Sequence, residues 1–224
     1  KYGALFMLDE VMCGLGRSGY YHTYEKFMTS GNGPDIMTIG KTIGSGFVTL
    51  AGVLISPMVK KAIVEGSNEV SGAQTYHCHE FNCKIGLAVQ KKLKEEHLIE
   101  KGSKVGQDLM DEIKKQLKDS KIVGDIRGLP LFFSLEFCDP KTKKSFPSEW
   151  KVAYKVGDKA LENGITTMAM QGTNGAYKDK DGKIVAMGDH ISIAPAYIIT
   201  ATEATKIANA LVKAVKDVEA ELPL

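Results

Sequence analysis

What this chain of 224 residues lacks narrows its function before any motif is read. No apolar run approaches the roughly 18 residues that a bilayer-spanning helix needs, which sets membrane proteins aside. Neither charge sign is in excess. Lys and Arg number 29 against 27 Asp and Glu, and the basic residues are spread along the chain, so there is no electrostatic footprint for nucleic acid. Only four cysteines occur, Cys13, Cys78, Cys83 and Cys138, without the paired spacing of a secreted disulfide scaffold. Reduced thiols, and a cytoplasmic or mitochondrial-matrix setting, are the expectation. Repeats and low-complexity stretches are also missing. At 43% hydrophobic residues, the chain has enough apolar material for one large core or two modest ones. Lys1 and Tyr2 lead directly into an apolar run with no cap, turn or initiating Met, so we expect the chain to begin inside a fold.

The elements fall into two halves. Ala4 to Leu8 is short and uniformly apolar, which suits a strand buried on both faces of a parallel sheet, with Asp9 at its C-terminal end. Ile36 to Ile39 reads as a second strand, with Lys41 just past its end, and Ala51 to Ile55 as a third buried strand. Ser56-Pro57 starts a helix that Gly66 closes. A long amphipathic helix runs from Cys83 to about Gly102, and another follows through Val105, Leu109, Ile113 and Leu117. Beyond it lie a strand pair around Gly128 and a helix from Trp150 to Asn163. Short strands follow at Ile165 to Met170 and His190 to Ala194, with a hairpin between them turning on Asp181-Gly182. The closing helix opens on Thr200 with Glu203 three residues later, a capping box. The expected architecture is α/β: a mostly parallel sheet and linking helix over residues 1–102, then a small α+β domain over 103–224.

Three motifs invite readings that their contexts reject. In GALFMLDEVMCGLGRSG, the glycines Gly14, Gly16 and Gly19 spell a dinucleotide fingerprint. That fingerprint needs an apolar helix to follow and an acid closing the second strand, whereas Tyr20 to Tyr24 starts no such helix and Asp35 opens its strand. Gly40-Lys41-Thr42 resembles the end of a phosphate loop, but Asp35 stands where the first glycine is required. His77, Cys78, His79 and Cys83 could each ligate a metal, yet three of them are consecutive and diverge, unlike the spaced pairs of zinc sites. No metal is expected.

Asp9 and Lys41 end neighbouring strands, and open α/β sheets bind ligands at the carboxyl ends of their strands. Alone, each reads as an ordinary strand-end acid or a solvated loop lysine. Together they match the working pair of pyridoxal phosphate enzymes, a lysine that bonds the cofactor and a carboxylate that keeps its ring nitrogen protonated.

Longer segments carry a resemblance. LFMLDEVMCGLGRSG, PDIMTIGKTIGSGF followed by AGVLIS, and QTYHCHEFNCKIGLAVQ are similar, in order and spacing, to class III pyridoxal-phosphate aminotransferases. So are DIRGLPLFFSLEF and GDHISIAPAYIIT, and the likeness covers nearly the whole chain. It implies fold type I, with Lys41 as the Schiff-base lysine and Asp9 as partner of the ring nitrogen. Val11 would pack on the ring, although by itself it reads as a core valine. Thr75 would reach the cofactor phosphate of a neighbouring subunit in a homodimer with shared active sites; by itself it reads as a turn hydroxyl. Arg17 reads as a residue tying loop backbone together.

Departures refine the expectation. Thr42 replaces the glycine that usually follows the lysine, and His79-Glu80 replaces the usual His-Pro. Ser192 stands where several members carry an arginine for a substrate carboxylate, and residues 172–188 resemble a branch acting on amines and ω-amino acids. Transamination from such a donor to pyruvate or another 2-oxo acid is therefore expected. A racemase or aminomutase of the same fold, and a non-catalytic dimerising remnant, are the alternatives. Full-length members carry a further N-terminal half with the phosphate loop and a ring-stacking aromatic, so little activity is expected of this chain alone.

Overall fold

The computed structural model describes residues 3–29, 31–70, 72 and 75–224, and the chain divides into two compact units, Lys1–Glu100 and Lys101–Leu224. Among the described residues, no helix is long and apolar enough to cross a membrane.

The first unit is built on a three-stranded sheet in the order β1 (Met7–Asp9), β2 (Ile36–Ile39), β3 (Gly52–Ile55). β1 and β2 run parallel, with Met7 opposite Ile36 and Asp9 opposite Thr38. β3 runs antiparallel to β2, so only one of the two pairings is parallel. Period-2 alternation along β2 sends Met37 and Ile39 inward, where they pack with Leu15 and with the half-buried Leu8, Tyr24 and Ile43. The outer strands correct the expectation of strands buried on both faces. Met7 is 57% exposed and Val53 62% exposed, because no layer of this unit lies over their apolar side chains.

Helix α1 (Pro57–Glu65) starts as expected, with the Ser56 hydroxyl accepting from the Val59 N–H and proline in its first turn. α2 (Glu80–Glu95) and α3 (Leu98–Gln116) are separated at His97, whose φ is +53°, and not at Gly102. Gly102 sits inside α3 for a packing reason: a Cβ there would lie 2.6 Å from the Tyr197 carbonyl oxygen.

The second unit carries a four-stranded antiparallel sheet in the order β4-β5-β9-β6, formed by β4 (Val123–Leu129), β5 (Phe132–Phe137), β6 (Met168–Met170) and β9 (His190–Ile193). Alternation along β5 buries Phe133, Leu135 and Phe137. α4 (Val152–Glu162) and α5 (Ala201–Glu221) pack on each other and bury Val156, Ala160, Leu211 and Val215. The Thr200–Glu203 capping box is formed: the Thr200 hydroxyl accepts from the Glu203 N–H at 3.2 Å, and the Glu203 carboxylate accepts from the Thr200 N–H at 2.8 Å. The hairpin β7 (Ala176–Lys178) and β8 (Ile184–Ala186) stands as its own two-stranded ribbon, turning through Gly182 at φ +80°.

Candidate active site

The parallel register fixes the site. Asp9 faces Thr38 across one strand spacing, about 4.8 Å. Lys41 follows Thr38 by three residues, a reach of roughly 10 Å at most. Both strands therefore end on the same edge of the sheet, with the carboxylate and the amine on neighbouring tips.

Each tip is shaped locally. The Asp9 Oδ1 accepts from the Val11 N–H at 2.9 Å, an Asx turn that follows the strand, and the Asp9 side chain is exposed. Val11 lies over Gly40: a Cβ at Gly40 would stand 3.2 Å from the Val11 Cγ1. The valine thus occupies the space between the Asp9 turn and the residue preceding Lys41. Lys41 opens a single 3-10 turn, Lys41–Ile43, at φ +43°, a left-handed conformation that a side chain adopts only when its surroundings impose it. Its amine is exposed. Asp9, Val11 and Lys41 are brought together in this way. Thr75 is not joined to them by any hydrogen bond among the described residues; it lies exposed in a turn between Gly72 and helix α2.

Glu10 was not singled out by the sequence reading. It is only 3% exposed, and its two oxygens accept the N–H groups of Thr23 at 2.9 Å and Tyr24 at 2.8 Å, with the His22 Nδ1 3.7 Å away. A carboxylate held by two backbone donors anchors the loop after β1 to the 3-10 turn Thr23–Lys26. The available signal was the Asp-Glu pair itself: strand alternation turns the second acid inward, where it needs donors. This also explains Gly14, because a Cβ there would lie 2.9 Å from the Glu10 side chain. Gly14 accommodates a carboxylate, and the segment after Gly19 runs into the short 3-10 turn without opening an α-helix.

In the second unit, Ser192 on β9 pairs with Ser134 on β5, their hydroxyl oxygens 3.0 Å apart. Asp189, just before β9, is 7% exposed; its Oδ2 accepts from the Gln171 side-chain amide at 3.4 Å, its Oδ1 has no partner, and burial pushes its pKa up to about 6.

The family model for aminotransferase class-III matches residues 1–215. An uncharacterized aminotransferase of Schizosaccharomyces pombe is 35% identical over all of this chain and 46% of its own length. The vanillin aminotransferase of Capsicum chinense is 30% identical over 98% of this chain and 44% of its own. Among solved structures, a transaminase from the marine bacterium Virgibacillus superposes with a TM-score of 0.85 at 29% identity, covering 98% of this chain and 46% of that one. The chain spans less than half the length of these curated relatives. With the sheet, the strand-tip pair and the matched sequence in agreement, the chain belongs to the class III aminotransferases, enzymes that act with pyridoxal 5′-phosphate.

Proposed function

We propose that this chain carries the cofactor-bonding half of a class III aminotransferase active site, with Lys41 as its catalytic residue. The observation that carries the reading is the placement of Asp9 and Lys41 on neighbouring parallel strand tips. The residues fit the group. A primary amine and a carboxylate share one edge, the carboxylate has an oxygen to spare, and the Val11–Gly40 contact makes an apolar floor against which a flat ring can lie. When bound, pyridoxal 5′-phosphate supplies an electron sink for the carbon that bears the substrate's amino group.

Each side chain has a distinct task. Lys41 would hold the cofactor through its side-chain amine, and that amine would serve as general base and then acid for the proton at the substrate carbon. The Asp9 carboxylate would accept a hydrogen bond from the ring nitrogen of the cofactor. Val11 excludes water from one face of the ring. Thr75 is proposed to donate its hydroxyl to the cofactor phosphate of a second subunit in a homodimer. The sequence division 1–102 and 103–224 is proposed as the boundary between the cofactor-binding and the small domain.

The sequence position of Ser192, where several members of the family carry an arginine for a substrate carboxylate, favours a donor without an α-carboxylate, an amine or ω-amino acid, with pyruvate or another 2-oxo acid as acceptor. Relatives named for vanillin and for gamma-aminobutyrate, and a solved omega-transaminase of Thermomicrobium roseum, support that choice.

The test is covalent capture. Pyridoxal 5′-phosphate is added to the chain and trapped with borohydride, and the labelled peptide is identified by mass spectrometry. Lys41 is expected to carry most of the label, and Lys41→Ala to abolish it without new label elsewhere. Equal labelling of Lys41 and the surface lysines would remove the reading.

A further inference from the structure

The loop that bears Lys41 has short-range backbone bonds of its own and further support from outside it. A single 3-10 turn is intrinsically weak, and this one starts from a left-handed lysine, with Ser45 at φ +47° close behind. What holds it is one face of helix α2. Asn82, Gly86 and Gln90 recur every four residues and so lie along one stripe. The Asn82 amide donates to the Thr49 carbonyl at 2.9 Å. Gly86 is buried where a Cβ would stand 2.5 Å from the Leu50 side chain and 3.4 Å from the Ile43 carbonyl oxygen. The Gln90 Nε2 donates to the carbonyls of Thr42 at 3.4 Å and Ile43 at 3.2 Å. Both ends of the loop, residues 42–43 and 49, are therefore gripped by side-chain amides, with a glycine between them letting the helix come close.

Gln90 has a second function that Asn82 lacks. Its Oε1 accepts from the Tyr21 hydroxyl at 3.0 Å. Tyr21 belongs to the loop after β1, whose start is shaped by Asp9, while Thr42 and Ile43 belong to the turn that begins with Lys41. The orientation of the amide is dictated by chemistry: two carbonyls can only accept, so the NH2 faces them and the oxygen faces the hydroxyl. One side chain thus ties the Asp9 segment to the Lys41 turn.

We propose that Gln90 is a positioning residue for the reaction: by bridging Tyr21 to the Thr42 and Ile43 carbonyls it fixes the direction in which Lys41 presents its amine relative to Asp9. The inference rests on the reading of Lys41 and Asp9 given above, but the clamp itself is testable apart from it.

Two readouts separate them. The first needs no cofactor: amide hydrogen exchange at Ile43, Gly44 and Ser45, whose N–H groups donate to Gly40, Lys41 and Thr42 within the turn. Gln90→Met keeps the side-chain length and removes donor and acceptor; loss of a net hydrogen bond is expected to raise exchange there about tenfold. Exchange in β2 and the melting temperature should stay close to those of the parent chain. Gln90→Glu keeps the acceptor for Tyr21 but sets a carboxylate against two carbonyls, and should loosen the turn at least as much. Tyr21→Phe, which removes one hydroxyl from a partly exposed ring, should give a smaller rise, about threefold, and serves if the Gln90 variants do not fold. The second readout is borohydride-trapped pyridoxal label at Lys41, expected to fall about fivefold in Gln90→Met, by the same loss of one net hydrogen bond. Unchanged exchange in Gln90→Met, or in Gln90→Glu, overturns the clamp. Raised exchange with undiminished Lys41 label overturns the positioning role. If the parent chain itself labels Lys41 no better than its other lysines, the functional reading fails while the exchange result still decides the clamp.

Discussion

Asp189 shows how much a single buried carboxylate can say about a fold. It stands just before β9, its carbonyl accepts the Phe137 N–H at 2.8 Å, and its side chain accepts from Gln171 at 3.4 Å and lies near the backbone of Ala153 in the first turn of α4. It therefore joins the strand, the hairpin base and the helix. Burial disfavours its charged form more than these donors and the neighbouring His190 favour it, so the folded pKa rises from 3.8 to about 6. A folded pKa above the unfolded one means that the fold prefers the neutral acid. The stabilising contribution is complete below pH 3.8 and is lost as pH climbs through about 6. Asp189→Asn keeps the size and drops the charge. Melting temperatures of variant and parent should nearly coincide at pH 4, with the variant gaining steadily up to pH 7; a difference that does not change with pH would refute the assignment. No sequence pattern announced this residue, because Gly-Asp-His before a strand reads as an ordinary turn. Asp9 and Lys41 were legible for the opposite reason. Their position at strand ends is a local property, and local properties survive in the sequence. Gln90 was not legible: on a helical wheel it is one more polar residue, and its role depends on which loop lies against it.

Helix α3 carries the same lesson to the level of elements. Glycine is a poor helix former, and Gly102 in the sequence reads as a stop. In the structure both Gly102 and Gly106 lie inside α3, four residues apart on one face. Added Cβ atoms would meet the Tyr197 carbonyl oxygen at 2.6 Å and the Pro130 carbonyl oxygen at 2.2 Å. The helix thus presses against the backbone before β5 and after β9, and the close approach is available only to glycine. The actual break falls at His97, a residue with no local helix-stop signal. On an open helix surface Gly→Ala stabilises by up to about 1 kcal/mol. Here the neighbours are main-chain atoms, which cannot swing aside, so Gly106→Ala should cost about 1–3 kcal/mol net and lower the melting temperature. Urea denaturation of the variant measures it, and a stabilised Gly106→Ala would show that α3 is not packed as described. The capping box at Thr200 and the strand pair around Gly128 were readable in advance, since their signals are local in the sequence.

At the scale of the whole molecule, the two units differ in how they treat apolar surface. The second closes a core around Phe133, Phe137, Ile191 and Leu211, all nearly inaccessible. The first leaves Phe47, Val70, Tyr76, Phe81 and Leu87 more than half exposed, along with the outer strands of its sheet. Apolar exposure on this scale marks surface made to be covered. Phe81 and Leu87 are the informative pair, because at about 100° per residue Phe81 points away from the Asn82–Gly86–Gln90 stripe of α2. On that side Phe81 is 63% exposed. It follows Thr75 closely in sequence, the residue proposed to reach a second subunit. If this face is the contact between copies, the chain at tens of micromolar should sediment as a species larger than its 24.3 kDa monomer. Phe81→Lys places a charge at the centre of the face and should shift the distribution to monomer, while hydrogen exchange in the Lys41 turn stays as it was. A chain that remains monomeric at every concentration, or an assembly indifferent to Phe81→Lys, would separate the exposed face from the dimer and leave it to the remaining polypeptide of a longer enzyme. The same measurement bears on catalysis, since a phosphate contact donated across the interface by Thr75 can form only in the associated species.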